Sequence, residues 1–164
     1  MVAKVGEPAP DFRLESDAGS AVSLEDFAGR WLVLYFYPRD STPGCTREAQ
    51  DFTRAVDQLR KLGAAVVGVS KDSVKSHCSF RDKIGIEFPL LSDPDLVVHR
   101  AYRAWGTKTM YGKKVEGTIR STFLISPAGT IEHVWSSVKV DGHVADVVAI
   151  LRAARRESAK PART

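Results

Sequence analysis

Residues 31–48 read WLVLYFYPRDSTPGCTRE, and this stretch determines the fold that the rest of the chain completes. Its first seven residues are apolar at both odd and even positions, which is typical of a strand buried on both faces in the middle of a sheet. Pro38 ends the strand, and a loop leads to Cys45. The stretch therefore predicts a central strand followed by a helix that packs on the sheet.

The residues that follow Cys45 have the periodicity of a helix with one apolar face. Apolar side chains recur in steps of three and four residues, and Leu62-Gly63 supplies a stop signal. The recurring residues are Cys45, Ala49, Phe52, Val56 and Leu59. Cys45 is thus expected in the first turn of this helix.

The flanking sequence predicts the other elements of the same sheet. Alternating stretches at 12–14 and 21–22 enclose a turn, which predicts an N-terminal β-hairpin. The later elements are predicted to be a strand at 65–69, a helix from Ser73 to Gly85, a helix opened by Asp93-Pro94, a hairpin of strands at 119–125 and 130–135, and a helix capped by Asp141. This order predicts an α/β, thioredoxin-like fold, in which helices flank a central mixed β-sheet.

The length of 164 residues, of which 43% are apolar, is that of one ordinary domain. We assign residues 1–152 to a single domain and residues 153–164 to a basic, flexible C-terminal tail. The net charge of +4 arises mainly from basic residues at this end, and no aromatic residues are interleaved with them for base stacking. We therefore expect no nucleic-acid partner.

The sequence contains neither an apolar run long enough to span a bilayer nor an N-terminal secretory signal. A cytoplasmic protein without a membrane partner is the expectation. Two cysteines, Cys45 and Cys78, are too few for a disulfide-stapled scaffold, so their chemistry is expected to be catalytic rather than structural.

Cys45 is the first candidate for a nucleophile. It follows the C-terminal end of the central strand, where open α/β sheets place their sites. A cysteine in the first helical turn faces unpaired N–H groups and the positive end of the helix dipole, which favour the thiolate. The alternative is that Cys45 is a small buried residue that begins the apolar face of the helix.

Pro38, Thr42 and Cys45 fit the pattern P-x-x-x-T-x-x-C, and with this pattern the sequence resembles the peroxiredoxins. Four stretches resemble the bacterioferritin comigratory protein (PrxQ) subfamily: YFYP at 35–38, TPGCT at 42–46, FPLLSD at 88–93 and RSTFL at 120–124. The resemblance extends from about residue 6 to about residue 151. It implies a thiol-dependent peroxidase that reduces hydrogen peroxide and organic hydroperoxides without a cofactor.

The resemblance also implies roles for individual residues. Cys45 is the peroxidatic cysteine, whose thiolate attacks a peroxide oxygen and becomes a sulfenic acid. Arg120 donates hydrogen bonds to the thiolate and to the peroxide, and Thr42 directs its hydroxyl and main-chain groups into the same pocket. Pro38 shields the thiolate from bulk water. Glu48, one turn after Cys45, can hold an arginine in place, although a surface acid is the alternative interpretation.

The second cysteine of the reaction is less clearly marked. Many members of the subfamily carry the resolving cysteine five residues after the peroxidatic one, but that position here is Gln50. Cys78 is the remaining candidate, which predicts an intramolecular disulfide after oxidation, and two well-separated sulfurs before it. Thioredoxin or a similar dithiol is the expected reductant, and a monomer is expected. The alternative is a one-cysteine peroxidase in which Cys78 is structural.

Other functions are disfavoured by spacing. Thr42 replaces the first cysteine of a C-x-x-C motif, so a dithiol reductase lacks its second thiol. The four histidines show no repeated metal-ligand spacing, so no metal is expected and they are interpreted as surface or strand residues. Residues 106–114 depart from the phosphate-loop pattern. A non-catalytic thioredoxin-like binding module remains the alternative, in which replacing Cys45 would affect packing alone.

Overall fold

A five-stranded mixed sheet with the order β5-β4-β3-β8-β9 forms the centre of this computed structural model, which describes residues 3–159. The middle strand β3 (Trp31–Phe36) runs parallel to β4 (Ala64–Ser70) and antiparallel to β8 (Ser121–Ile125). The edge strands are β5 (Leu90–Ser92) and β9 (Ile131–Ser136). Every residue of β3 is buried, which confirms the prediction of a central strand.

Apolar cores lie on both faces of this sheet, because odd and even positions of β3 point in opposite directions. One core combines Val33 and Tyr35 with side chains from three helices. These helices are α1 (Pro43–Lys61), α2 (Val74–Ile84) and α4 (His143–Ala159). The other core combines Leu34 and Phe36 with Val98 of α3 (Val97–Ala101). Helices on both faces of a mixed sheet confirm the thioredoxin-like fold.

Two hairpins lie outside the central sheet. The predicted N-terminal hairpin is present as β1 (Arg13–Glu15) and β2 (Ala21–Ser23), followed by a short 3-10 helix at Leu24–Phe27. The second hairpin, β6 (Trp105–Met110) and β7 (Lys113–Thr118), was not predicted. Its strands are rich in glycine, threonine and lysine and lack the alternation that marks a half-buried strand.

Several predicted boundaries differ from the structure, and Asp141 does not cap the last helix, which begins two residues later at His143. The third helix begins at Val97 and not at Asp93-Pro94, because Leu96 adopts a left-handed conformation (φ 63°) that interrupts the chain before it. Strand β8 begins at Ser121 and not at residue 119. Helix α4 continues through Ala159, so residues 153–159 are helical where a flexible tail was predicted. The rest of that predicted tail, residues 160–164, lies outside the described residues.

The prediction that the histidines are surface or strand residues was wrong for His77, His99 and His143, which are buried. Two of these histidines lie beside carboxylates: Nδ1 of His77 is 2.7 Å from Asp40 Oδ2, and Nδ1 of His99 is 2.8 Å from Asp93 Oδ2. Interior histidines thus have polar partners here. Within residues 3–159, no group of three or more His, Cys, Asp or Glu side chains could hold a metal ion. None of the helices described is long and apolar enough to cross a membrane.

Candidate active site

Cys45 lies in the first turn of α1, just beyond the C-terminal end of β3, and only 1% of its surface is exposed. Thr42 is the N-cap residue, and its carbonyl accepts a hydrogen bond from the backbone N–H of Thr46 at 2.8 Å. Pro43 occupies the first helical position, where its missing N–H costs nothing. The local sequence therefore starts the helix two residues before Cys45, in a first turn whose backbone N–H groups have no partners within the helix.

Arg120 directly precedes β8 and reaches across to α1. Its Nη2 donates to the Sγ of Cys45 at 3.3 Å, and its Nη1 donates to Oε1 of Glu48 at 2.7 Å. The Arg120 side chain is 17% exposed, whereas the Glu48 side chain is fully buried. The guanidinium of Arg120 thus hydrogen-bonds to two other predicted site residues, Cys45 and Glu48.

Burial determines the electrostatics of this group. Desolvation raises the pKa of Glu48 from its ordinary value of 4.5 to about 7, although the charge and hydrogen bond of Arg120 act in the opposite direction. Burial alone would lower the pKa of Arg120, but the charges of Glu48 and Cys45 raise it further above its ordinary value. Glu48 Oε2 has no hydrogen-bond partner among residues 3–159. Arg120 therefore stays cationic, and Glu48 is the titrating member of the pair.

Thr42 and Pro38 lie in the loop that leads to Cys45. The Thr42 hydroxyl donates to the carbonyl of Arg39 at 2.9 Å, so its proton is used within the loop. Its oxygen keeps lone pairs that can accept a hydrogen bond. Pro38 is half-buried and follows the fully buried Tyr37. The loop is therefore held by its own contacts before any substrate binds.

Sequence reasoning missed two contributors to this site. A Cβ atom at Gly44 would lie 3.3 Å from Nη2 of Arg120, so the missing side chain leaves room for the guanidinium. A glycine in a first helical turn, where helix propensity disfavours it, was the available signal. Lys108 Nζ donates to the Thr118 carbonyl at 3.1 Å, and its pKa is lowered by burial and by the charge of Arg120. Lys108 lies on the unpredicted hairpin, so the sequence offered no signal for it.

Cys78 lies on α2 and faces a different partner. Its half-buried Sγ donates to the backbone carbonyl of Asp17, between β1 and β2, at 3.2 Å. Both cysteines are free thiols. The Cys45 sulfur accepts a hydrogen bond from Arg120, and the Cys78 thiol donates one to the Asp17 carbonyl. A bond between the two sulfurs therefore requires that at least one of these hydrogen bonds be broken.

The chain is similar to known proteins in both sequence and fold. The sequence pattern of the AhpC/TSA family matches residues 5–134. The chain is 51% identical to a putative peroxiredoxin bcp of Coxiella burnetii over 148 residues, which are 90% of this chain and 98% of that protein. Among solved structures, peroxiredoxin Q of Xanthomonas campestris is similar with a TM-score of 0.83 and 49% identity, over 87% of this chain and 90% of that one.

A second solved structure carries a statement about activity. It is the bacterioferritin comigratory protein of Xanthomonas campestris, studied for alkyl peroxide reduction in trapped intermediate and ligand complexes. The chain is similar to it with a TM-score of 0.82 and 48% identity, over 87% of this chain and 90% of that one.

Proposed function

The chain belongs to the AhpC/TSA family, as a peroxiredoxin of the bacterioferritin comigratory protein (PrxQ) type, and from this membership we infer that Cys45 is its peroxidatic cysteine. The protein is a thiol-dependent peroxidase. One observation carries the assignment to Cys45: a cationic donor, Nη2 of Arg120, lies 3.3 Å from its sulfur in the first turn of a helix. Both features favour a sulfur anion.

The first step is a displacement on oxygen. The Cys45 thiolate attacks one oxygen of the hydroperoxide, so that an S–O bond forms while the O–O bond breaks, and the leaving oxygen takes a proton to become water or an alcohol. Arg120 can stabilise the charge that moves from sulfur to the leaving oxygen, because its fork offers donors to both. The Thr42 oxygen accepts a hydrogen bond from the peroxide, and Pro38 excludes water.

The second step returns the sulfur to the thiol level. The Cys78 thiol attacks the sulfenic sulfur, which forms a disulfide and releases water, and a dithiol reductant such as thioredoxin then reduces the disulfide. The separate partners of the two thiols support an opening of α2 or of the first turn of α1 before this step. Thioredoxin is the dithiol that we propose, with hydroperoxides as the oxidising substrates.

The setting of the reaction is part of the same proposal. Residues 3–159 act as one domain, which is supported by two apolar cores that share the central strand β3 and by Ala154 of α4, which packs against one of them. The protein works as a monomer in the cytoplasm, where a reducing pool keeps thiols available. Its partners are peroxides and a dithiol, not nucleic acid or a membrane.

Mass spectrometry after one equivalent of hydrogen peroxide tests the assignments. The wild type should yield a peptide pair joined through Cys45 and Cys78, and Cys78→Ser should yield Cys45 sulfenic acid that dimedone traps. Cys45→Ser should consume no peroxide. Peroxide turnover by Cys45→Ser at the wild-type rate would remove Cys45 from the reaction. Normal turnover by Cys78→Ser with thioredoxin would establish the one-cysteine alternative.

A further inference from the structure

Asp40 is the centre of a buried polar cluster that joins the loop before α1 to helix α2. Its carboxylate accepts hydrogen bonds from Tyr37 Oη at 2.6 Å and from Ser76 Oγ at 2.8 Å, and it faces His77 Nδ1 at 2.7 Å. Its backbone N–H donates to Oδ2 of Asp72 at 2.8 Å. One residue of the loop before α1 is therefore hydrogen-bonded to the residue that follows β3, to α2 and to the turn before α2.

The hydrogen-bond partners of His77 determine its charge. Nε2 lies 2.9 Å from the carbonyl oxygen of Leu91, which can only accept, so Nε2 carries a proton. Nδ1 faces a carboxylate that already accepts from Tyr37 and Ser76, which favours the ionised carboxylate and a second proton on the imidazole. The pair has almost no exposed surface, 0% for the His77 side chain and 3% for that of Asp40. His77 and Asp40 thus form a buried ion pair.

The position of this pair in the chain relates it to both thiols. Asp40 lies in the loop between β3 and α1, shortly before the N-cap residue Thr42, and His77 directly precedes Cys78. Cys78 itself points elsewhere, toward the Asp17 carbonyl. Unwinding α2 around Cys78 would pull His77 away from Asp40 and leave a buried charge without its partner, which is strongly unfavourable.

We propose that the Asp40–His77 ion pair is a latch that holds the Cys78 segment of α2 in its folded, non-resolving position and so limits the rate of disulfide formation. His77 is a positioning residue in this proposal, because its side-chain hydrogen bonds within residues 3–159 go to Tyr37, Asp40 and Leu91 and not to Cys45, Arg120 or Glu48. The proposal rests on the role of Cys78 as the resolving cysteine given above.

The latch sets the outcome of a competition for the Cys45 sulfenic acid. If α2 opens, the Cys78 thiol attacks the sulfenic sulfur, water leaves and a disulfide forms. If α2 stays closed, a second hydroperoxide oxidises the sulfenic acid to sulfinic acid and is itself reduced to water or an alcohol. A tighter latch lengthens the life of the sulfenic acid and increases the fraction of sulfinic acid formed per turnover.

Two neutral substitutions of His77 distinguish the effect of its contact with Asp40 from that of its contact with the Leu91 carbonyl. In His77→Gln the side-chain amide can reach the Leu91 carbonyl but not Asp40, whereas in His77→Asn the amide can replace Nδ1 as a donor to Asp40. Disulfide formation should be faster by about tenfold or more in His77→Gln, equivalent to about 1.4 kcal/mol off the opening barrier, and by less in His77→Asn. The sulfinic fraction at high peroxide should fall in the same order.

A milder pair of variants guards against misfolding. Ser76→Ala removes one hydrogen bond to Asp40 but keeps the ion pair, and Ser79→Ala changes an exposed serine on the same helix. Ser76→Ala should form the disulfide a few times faster than the wild type, and Ser79→Ala at the wild-type rate. All rates come from rapid mixing with peroxide without reductant, followed by quenching and mass spectrometry of the sulfenic, disulfide and sulfinic forms.

The outcomes are distinct. Unchanged or slower disulfide formation in both His77→Gln and Ser76→Ala overturns the latch, while the disulfide itself still supports the role of Cys78. If the wild type forms no disulfide between Cys45 and Cys78, the resolving role fails and the latch fails with it. A slower first oxidation of Cys45 in His77→Gln would also contradict the proposal, because it would place His77 in the peroxide-reacting site.

Discussion

Arg120 donates to Glu48 at 2.7 Å from one terminal nitrogen while its other terminal nitrogen points to the sulfur of Cys45. Glu48 is fully buried and only 17% of the Arg120 side chain is exposed, so solvent screens this contact less than it screens a surface ion pair. Glu48 therefore fixes the orientation of the guanidinium relative to the thiol. The flat shape of the guanidinium, and not its charge alone, is what this geometry uses.

Replacing Arg120 by lysine should therefore slow the reaction with peroxide by about a hundredfold, the effect of losing one transition-state donor. A lysine ammonium keeps the charge but cannot span Glu48 and Cys45 in a fixed fork. The rate of the first Cys45 oxidation under single-turnover conditions measures this effect. Arg54→Lys, an exposed substitution on α1, is the control and should leave the rate unchanged. Equal rates for the two variants would remove Arg120 from the chemistry.

Glu48 should make the protein less stable as the pH rises. Burial raises its pKa from 4.5 to about 7, so the folded state holds a proton that the unfolded state releases. Its contribution is fully present below pH 4.5 and is lost as the pH rises to about 7. Relative to Glu48→Gln, the wild type should lose up to about 3 kcal/mol of unfolding free energy across this window.

Chemical denaturation of both proteins at several pH values tests this prediction for Glu48. Asp57→Asn is a matched control, because Asp57 lies on the same helix with 79% of its side chain exposed. The stability difference between wild type and control should stay constant over the same window. A constant difference between wild type and Glu48→Gln would show that burial does not shift the titration of Glu48.

The two simplest substitutions of Cys78 should agree in catalysis and differ in stability. Neither Cys78→Ser nor Cys78→Ala can form the disulfide, so both should stop at the sulfenic acid or become over-oxidised. Serine keeps a donor for the Asp17 carbonyl and alanine does not. We expect Cys78→Ala to be less stable than Cys78→Ser by about 1 kcal/mol in urea unfolding of the reduced proteins. Equal stability would mean that the contact with Asp17 contributes nothing.

Local pattern was sufficient to predict four of the five strands of the central sheet and the position of Cys45, but not the three-residue edge strand β5. The unbroken apolar run of β3 and the helical spacing after Cys45 are encoded within a few residues, so periodicity reveals them. The hairpin β6–β7 was missed because Gly106 and Gly117 pair across it and its outer face is polar, which removes the strand signal. Its turn, Tyr111-Gly112, has positive φ at both residues.

Only some of the contacts between residues far apart in the chain could be predicted from the sequence. Arg120 was connected to Cys45 by family resemblance, since nothing in the local sequence distinguishes it from an ordinary strand arginine. The pairing of Asp40 with His77, 37 residues apart, had no such guide. A buried histidine and an exposed one look alike in sequence, because burial depends on which strands and helices meet around them.

His143 should make the protein sensitive to acid, with a sign opposite to that of Glu48. Burial lowers its pKa from 6.5 to about 4, and its Nε2 lies 2.8 Å from Thr122 Oγ1, so the folded state holds the neutral ring. Its contribution is complete above pH 6.5 and is lost as the pH falls toward 4, because the unfolded state takes up the proton first. Relative to His143→Gln, the wild type should lose up to about 3 kcal/mol of unfolding free energy as the pH falls from 6.5 to about 4.

Chemical denaturation of both proteins at several pH values in this range measures the loss of stability, with His133→Gln on β9 as the control. Parallel pH profiles for the wild type and His143→Gln would show that burial does not shift the pKa of His143.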